Sequence, residues 1–153
     1  MFDPFDVFGF EKGFFLDLKV LEKCYFEEQK KFHPDRFALA EMNTKADAIR
    51  KSTMLNQAYS LLKDPLERAA FLLKEKGFEL MTHDSFFLSQ VMEWSERQDR
   101  GEDITRELQV ESERLFKSLE DAFVVQDYAS AREALYRLTY VRKMMKAMFL
   151  GPG

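Results

Sequence analysis

Pro34 constrains this chain more than any other residue, because it sits in the run His33-Pro34-Asp35-Arg36 where one helical pattern stops and before another begins. Proline disfavours helical geometry at the residue before it, so a helix arriving through Phe32 must end there and the chain must turn. Upstream, Asp17 reads as the N-cap of that helix. Downstream, Ala48, Ser52, Leu55, Tyr59 and Leu62 recur at heptad-like spacing in a helix over roughly 44–62. Antiparallel packing of the two leaves the 33–43 connection at one end. A rigid proline turn between an imidazole and a carboxylate is a fixed polar knuckle on a loop, and such loops tend to contact partners.

The remainder of the chain follows the same grammar. Sixteen Phe and eight Met sit among many Leu and Ala, with few Gly or Pro, which favours helices packed through large side chains and predicts an all-α fold. Pro4 starts a short helix through Val7 and Phe8, and Pro65 opens a fourth helix with Ala69, Leu72 and Leu73 inward and Gly77 as its stop. Residues 78–84 read as a linker. Three further helices, about 84–99, 103–126 and 128–149, are joined by connections short enough to require antiparallel neighbours, a three-helix bundle. The predicted organisation is therefore one domain over 1–76, a linker over 77–83 and a second domain over 84–150.

Charge separates the two halves. Residues 1–78 hold 13 Lys+Arg and 13 Asp+Glu, so the net charge of -4 belongs wholly to 79–153. With pI near 5.3 there is no electrostatic footprint for nucleic acid. Within the second half, the last helix carries Arg132, Arg137, Arg142, Lys143 and Lys146 against Glu133, beside an acidic middle segment that it would offset. Cys24 is the only cysteine, which excludes an intramolecular disulfide or a multi-thiolate zinc site and fits a reducing compartment. No signal-peptide pattern opens the sequence, and no stretch approaches the roughly 20 apolar residues of a membrane span. The expectation is a cytoplasmic protein.

Enzyme chemistry finds little to work with. His33 and Asp35 alternate across a rigid proline, which hinders their side chains from converging on one atom, and no Ser or Cys nucleophile is marked nearby. His33 and His83 are the only imidazoles and neither has ligand spacing around it, so no metal site is expected. On the helix ending at Phe32, Leu18, Leu21, Tyr25 and Phe32 share one face, and Lys19, Lys23 and Lys30 share the opposite one. Such a lysine stripe, taken alone, reads first as a solvated helix surface and only second as a docking face, and Glu22, Glu27 and Glu28 dilute it.

Taken together, the helix, the His33-Pro34-Asp35 loop and the antiparallel partner helix resemble the J-domain, the module with which DnaJ-type co-chaperones stimulate Hsp70 ATPases. The resemblance implies that His33, Pro34 and Asp35, with Lys19, Lys23 and Lys30, dock on an Hsp70 in its ATP state, with Arg36 and Lys31 nearby. The flanks are more specific. Asp3-Pro4-Phe5-Asp6-Val7-Phe8-Gly9, Leu16-Asp17, Leu55-Asn56-Gln57-Ala58-Tyr59, Asp64-Pro65, Arg68-Ala69 and Phe71-Leu72-Leu73 resemble the HscB-type co-chaperones of iron–sulfur cluster biogenesis. Glu11 where proline is frequent and Arg36 where lysine is usual are small departures.

That resemblance covers essentially the whole chain and implies an L-shaped, two-domain protein of bacterial type, since the N-terminal cysteine cluster of human-like members is absent. It implies delivery of an IscU-type iron–sulfur scaffold protein to a dedicated, HscA-like Hsp70, with no cofactor held by the polypeptide itself. In the second domain, Phe87, Val91 and Trp94 suit a bundle seam, as do Ala131, Ala134, Leu138, Val141 and Met145. Leu88 and Met92, and the strip Tyr136, Tyr140 and Met144, lie to the side, either as more core or as exposed apolar surface. The resemblance assigns Leu88, Met92 and Tyr140 to scaffold binding, with Glu93 and Glu96 as its acidic rim. Ser89, where a larger apolar residue is frequent, and Arg100, where an acid is common, depart from the family pattern. The alternatives are a J-protein serving another client and a metal-dependent hydrolase using His33 and Asp35.

Overall fold

The computed structural model describes residues 2–150, with the side chains of residues 149 and 150 outside that description. Among the described residues every regular element is helical: α1 (Pro4–Val7), α2 (Leu18–Phe32), α3 (Met42–Lys63), α4 (Pro65–Glu75), α5 (Ser85–Asp99), α6 (Thr105–Val124) and α7 (Tyr128–Leu150), with a single 3-10 turn over Pro34–Phe37. The predicted all-α class is the observed one. The chain divides between Leu72 and Leu73 into two compact units.

In the first unit the helix starts are chemical and local. Asp3 accepts from the Phe5 and Asp6 N–H groups at the head of α1, and Asp17 accepts from Lys19 and Val20 at the head of α2. Each satisfies donors that a helix start leaves orphaned. Gln29 and Tyr25 on α2 meet Ser52 and Asn56 on α3 in descending order, which fixes the two helices antiparallel. The Tyr25 and Tyr59 rings stack face to face at 4.1 Å and 7°, and the Tyr25 hydroxyl donates to Asn56 Oδ1. Leu21, Ala48, Leu55, Ala58 and Leu62 are buried within this unit, together with Phe5 and Phe14. Leu18, expected on the packed face, is instead nearly half exposed because it is the first residue of α2, where a side chain has no preceding turn beside it.

Arg68 is the one buried charged side chain among the described residues, at 6 % exposure. Its Nε donates to the Phe14 carbonyl at 2.7 Å and its Nη1 to the Leu62 carbonyl at 2.5 Å, and the guanidinium lies over the Phe14 ring. It thereby ties the segment before α2 to the end of α3. Burial pulls its pKa down and Asp64 opposes that shift, which is tolerable because the buried donors are matched by carbonyls. The Arg68-Ala69 pair noted in the sequence thus has a structural duty.

The second unit is built from α5, α6 and α7. Phe87, Val91 and Trp94 on α5, Leu108, Leu115, Leu119 and Ala122 on α6, and Ala131, Ala134, Leu135, Leu138 and Val141 on α7 are buried. Met145, predicted for the seam, is only half-buried one turn beyond Val141. Asp84 caps α5 through the Phe87 N–H and also accepts from Arg137 Nε at 2.9 Å, so one carboxylate starts a helix and holds α7 to it. The predicted offset between acidic segment and basic last helix appears here as a specific pair. Trp94 Nε1 donates to Glu107, joining α5 to α6.

Two helix ends show how much the sequence announces. Gly77 follows α4 at φ +83, with the Gly77 N–H bonded to the Lys74 carbonyl and the Phe78 N–H to that of Leu73. The same hydrogen-bond pattern ends α6, but the residue at positive φ is Gln126, a residue that does not announce the position. The stretch predicted as a linker is anchored at its start: the Phe78 ring packs 5.9 Å from Tyr128 and lies beneath the Arg132 guanidinium.

Candidate functional site: an exposed corner beside a cationic helix, and an α5 surface

His33 ends α2 with extended backbone and Pro34 opens the 3-10 turn, so the predicted break is a change of helix type rather than an open loop. The His33 Nδ1 accepts from the Asp35 N–H at 3.3 Å and stands 3.6 Å from Asp35 Oδ2. The tight turn folds residue 35 back over residue 33, so the two side chains meet each other. Both side chains remain in solvent, Asp35 at 92 % exposure. Arg36 donates from Nη1 to the Lys30 carbonyl at 2.8 Å, satisfying an orphan acceptor at the end of α2 and clamping the turn to the helix.

Lys19, Lys23 and Lys30 are exposed, and none has a carboxylate within ion-pair distance among the described residues. Lys31 differs: it pairs with Glu28 at 2.9 Å, and the hydrogen bond to that carboxylate raises its pKa. Lys51 of α3 sits over the Phe32 ring, 4.4 Å from its centre. The unit therefore presents three unpaired ammonium groups along one helix, ending at a turn that projects an exposed carboxylate.

On the second unit the five predicted residues separate. Leu88, Met92 and Glu96 form a row along α5 at i, i+4 and i+8, with Leu88 41 % and Met92 57 % exposed. Tyr140 is half-buried and joined to α5 through Phe87, whose ring meets those of Tyr140 and Tyr136 edge-on at 6.1 and 6.4 Å. Glu93 lies on the other flank, in an open groove between α5 and α6 lined also by Phe86, Ser89, Gln90 and Val110. Arg100 is drawn into a local cluster at the turn after α5, where Glu102 meets both Arg97 and Arg100 and hydrogen bonding from Arg97 lowers the Glu102 pKa.

Sequence reading missed two side chains here. Phe86, at 84 % exposure, stands at the edge of that groove. Phe26 lies exposed along the lysine-bearing side of α2. A helical projection of α2 extended to apolar residues on the polar face would have found the latter.

Residues 83–148 match the family described as the HSCB C-terminal oligomerisation domain. The co-chaperone protein HscB homolog of Neisseria meningitidis serogroup A is 35 % identical over 154 residues, covering 92 % of this chain and 93 % of that protein. That of Aeromonas hydrophila is 32 % identical over 159 residues, covering 94 % and 92 %. Among solved structures, chaperone HscB from Vibrio cholerae superposes with a TM-score of 0.84 at 27 % identity, over 94 % of this chain and 93 % of that one. Human co-chaperone protein HscB does so with 0.88 at 26 % identity, over 97 % and 81 %. Sequence and fold agree over nearly the full length, and the chain belongs to the HscB family of co-chaperone proteins.

Proposed function

We propose that this protein stimulates the ATPase of a dedicated, HscA-like Hsp70 and delivers to it an IscU-type iron–sulfur scaffold protein, promoting cluster transfer to acceptors. ATP belongs to the Hsp70 and the cluster to the scaffold, so the chain acts as an adaptor and holds neither. The observation that carries the reading is the corner at His33-Pro34-Asp35: a carboxylate held in solvent by a proline-stiffened turn, at the end of a helix with three unpaired lysines.

The physical logic is preorganisation. The His33 acceptor, the Pro34 ring and the Arg36 clamp fix the turn before any partner arrives, so little conformational entropy remains to be lost on docking. Lys19, Lys23 and Lys30 supply long-range attraction to an acidic surface and orient the approach. Asp35 then offers a single charge for a hydrogen-bonded contact on the motor protein. On the other unit, the Leu88–Met92 row supplies apolar area and Glu93 and Glu96 a polar rim, with the Tyr140 ring held in place by Phe87.

ATP turnover by the cognate Hsp70, measured with this protein and the scaffold added singly and together, tests the whole reading. Stimulation by this protein alone and synergy with the scaffold are the expected results, and no stimulation at saturating dose would overturn it. Recruitment of Hsp70 to a different client is a second reading, favoured by the exposed positive Arg100 where the family commonly carries an acid. Stimulation by this protein with no synergy from the scaffold would select it.

A further inference from the structure

The docking face of α2 has an aromatic member as well as its lysines. At about 100° per residue, Phe26 lies about 20° from Lys19, 40° from Lys30 and 60° from Lys23 around the helix axis, so the ring borders the cationic stripe along its middle. It is 53 % exposed. Its neighbour Tyr25 is immobilised by the Tyr59 stack and the Asn56 hydrogen bond, and the Phe26 ring leans on it at 5.4 Å. The ring is thus backed on one side by a fixed surface and open on the other.

We infer that Phe26 is an apolar anchor of the Hsp70-docking face, seating in a hollow within an acidic surface of that partner. The inference rests on the docking reading above and adds what that surface must look like. Isolated exposed apolar residues are common and carry little meaning. This one differs by its surroundings, since a rigidly backed aromatic ring suits the apolar centre of an interface and the unpaired lysines beside it suit its charged rim. Charge complementarity selects the occupant: three ammonium groups with no carboxylate of their own call for carboxylates around the hollow. A protein surface fits better than an anionic membrane, because Glu22, Glu27 and the projecting Asp35 carboxylate on the same helix and turn need discrete cations or donors among the acidic groups, which a folded surface can place and a uniform sheet of lipid phosphate cannot.

The test is a titration of Hsp70 ATP turnover with the full-length protein and with Phe26→Ala, Phe26→Leu and Lys23→Ala. Phe26→Ala should raise the half-saturating concentration about tenfold while keeping the maximal rate and the wild-type salt dependence. Phe26→Leu should recover most of the loss, and Lys23→Ala should instead flatten the salt dependence. Phe26→Gln, with good helix propensity, gives the same reading should the alanine variant melt early. A half-saturating concentration within twofold of wild type for both Ala and Gln variants, with wild-type stimulation intact, overturns the inference alone. Wild-type protein that stimulates no Hsp70 overturns the docking reading and the inference together. Binding of wild-type protein to phosphatidylserine vesicles that Phe26→Ala abolishes, or a monomer–dimer equilibrium that Phe26→Ala shifts, would overturn the assigned partner.

Discussion

The His33-Pro34-Asp35 corner and the α5 surface are built in opposite ways. The corner is made by consecutive residues: proline sets the turn, Asp35 and His33 meet within it, and Arg36 ties it back to a carbonyl six residues earlier. The α5 surface depends on packing between distant segments, because Leu88 and Met92 are exposed only as a consequence of which α5 face is taken up by α6 and α7. A locally built site should tolerate loss of tertiary stability and fail by single charges. A packed one should fail by graded loss of area.

The sharpest way to break this comparison is Asp35→Asn. It deletes one charge on a side chain that is almost entirely in solvent, so the melting temperature should stay within about 2 °C of wild type. Stimulation of the Hsp70 ATPase should be lost altogether. Retained stimulation would remove the corner from the docking site and leave the lysines unaccompanied.

A graded effect is expected on the other unit. Leu88→Ala combined with Tyr140→Ala should weaken scaffold binding about tenfold to a hundredfold by calorimetric titration, with stimulation by the protein alone unchanged. Tyr140 is half-buried against Phe87, so that variant should also lose some stability, whereas Met92→Ala should weaken binding without it. Equal loss of stability for Met92→Ala would show that the row is core and not surface.

The smallest effect sharpens how α5 is set in place. Burial of Asp84 by itself would raise its pKa, but the Phe87 N–H and the Arg137 guanidinium outweigh it and hold the group below the ordinary carboxylate value. A depressed folded-state pKa stabilises the fold above the unfolded pKa near 3.8, and that contribution disappears as pH falls through the folded value. Asn caps a helix about as well as Asp, so Asp84→Asn should cost chiefly the charge-assisted bond to Arg137, about 1 kcal/mol at pH 7 in urea melts. The difference from wild type should shrink below pH 4.

Much of this was legible in the chain. Asp17, Pro34, Pro65 and Gly77 each act through their own backbone or the next turn, so the elements they bound lie within a residue or two of expectation. Where a long-range contact decides, the sequence was silent. Nothing in Leu18 distinguishes it from Leu21 except its place at the first turn, and Gln126 gives no sign of the left-handed backbone that its neighbours impose. Phe78 reads as linker until Tyr128 and Arg132 are seen around it.

The sequence by itself determined the helices, their antiparallel order and the corner, because capping, proline geometry and apolar periodicity act over a few residues. Tertiary structure alone decided which side chains are covered and which stay outside: it buried Arg68 against the Phe14 and Leu62 carbonyls and left Phe26 in solvent beside the lysines. Exposure is a property of what a side chain fails to meet, and a chain can specify that only by specifying everything around it.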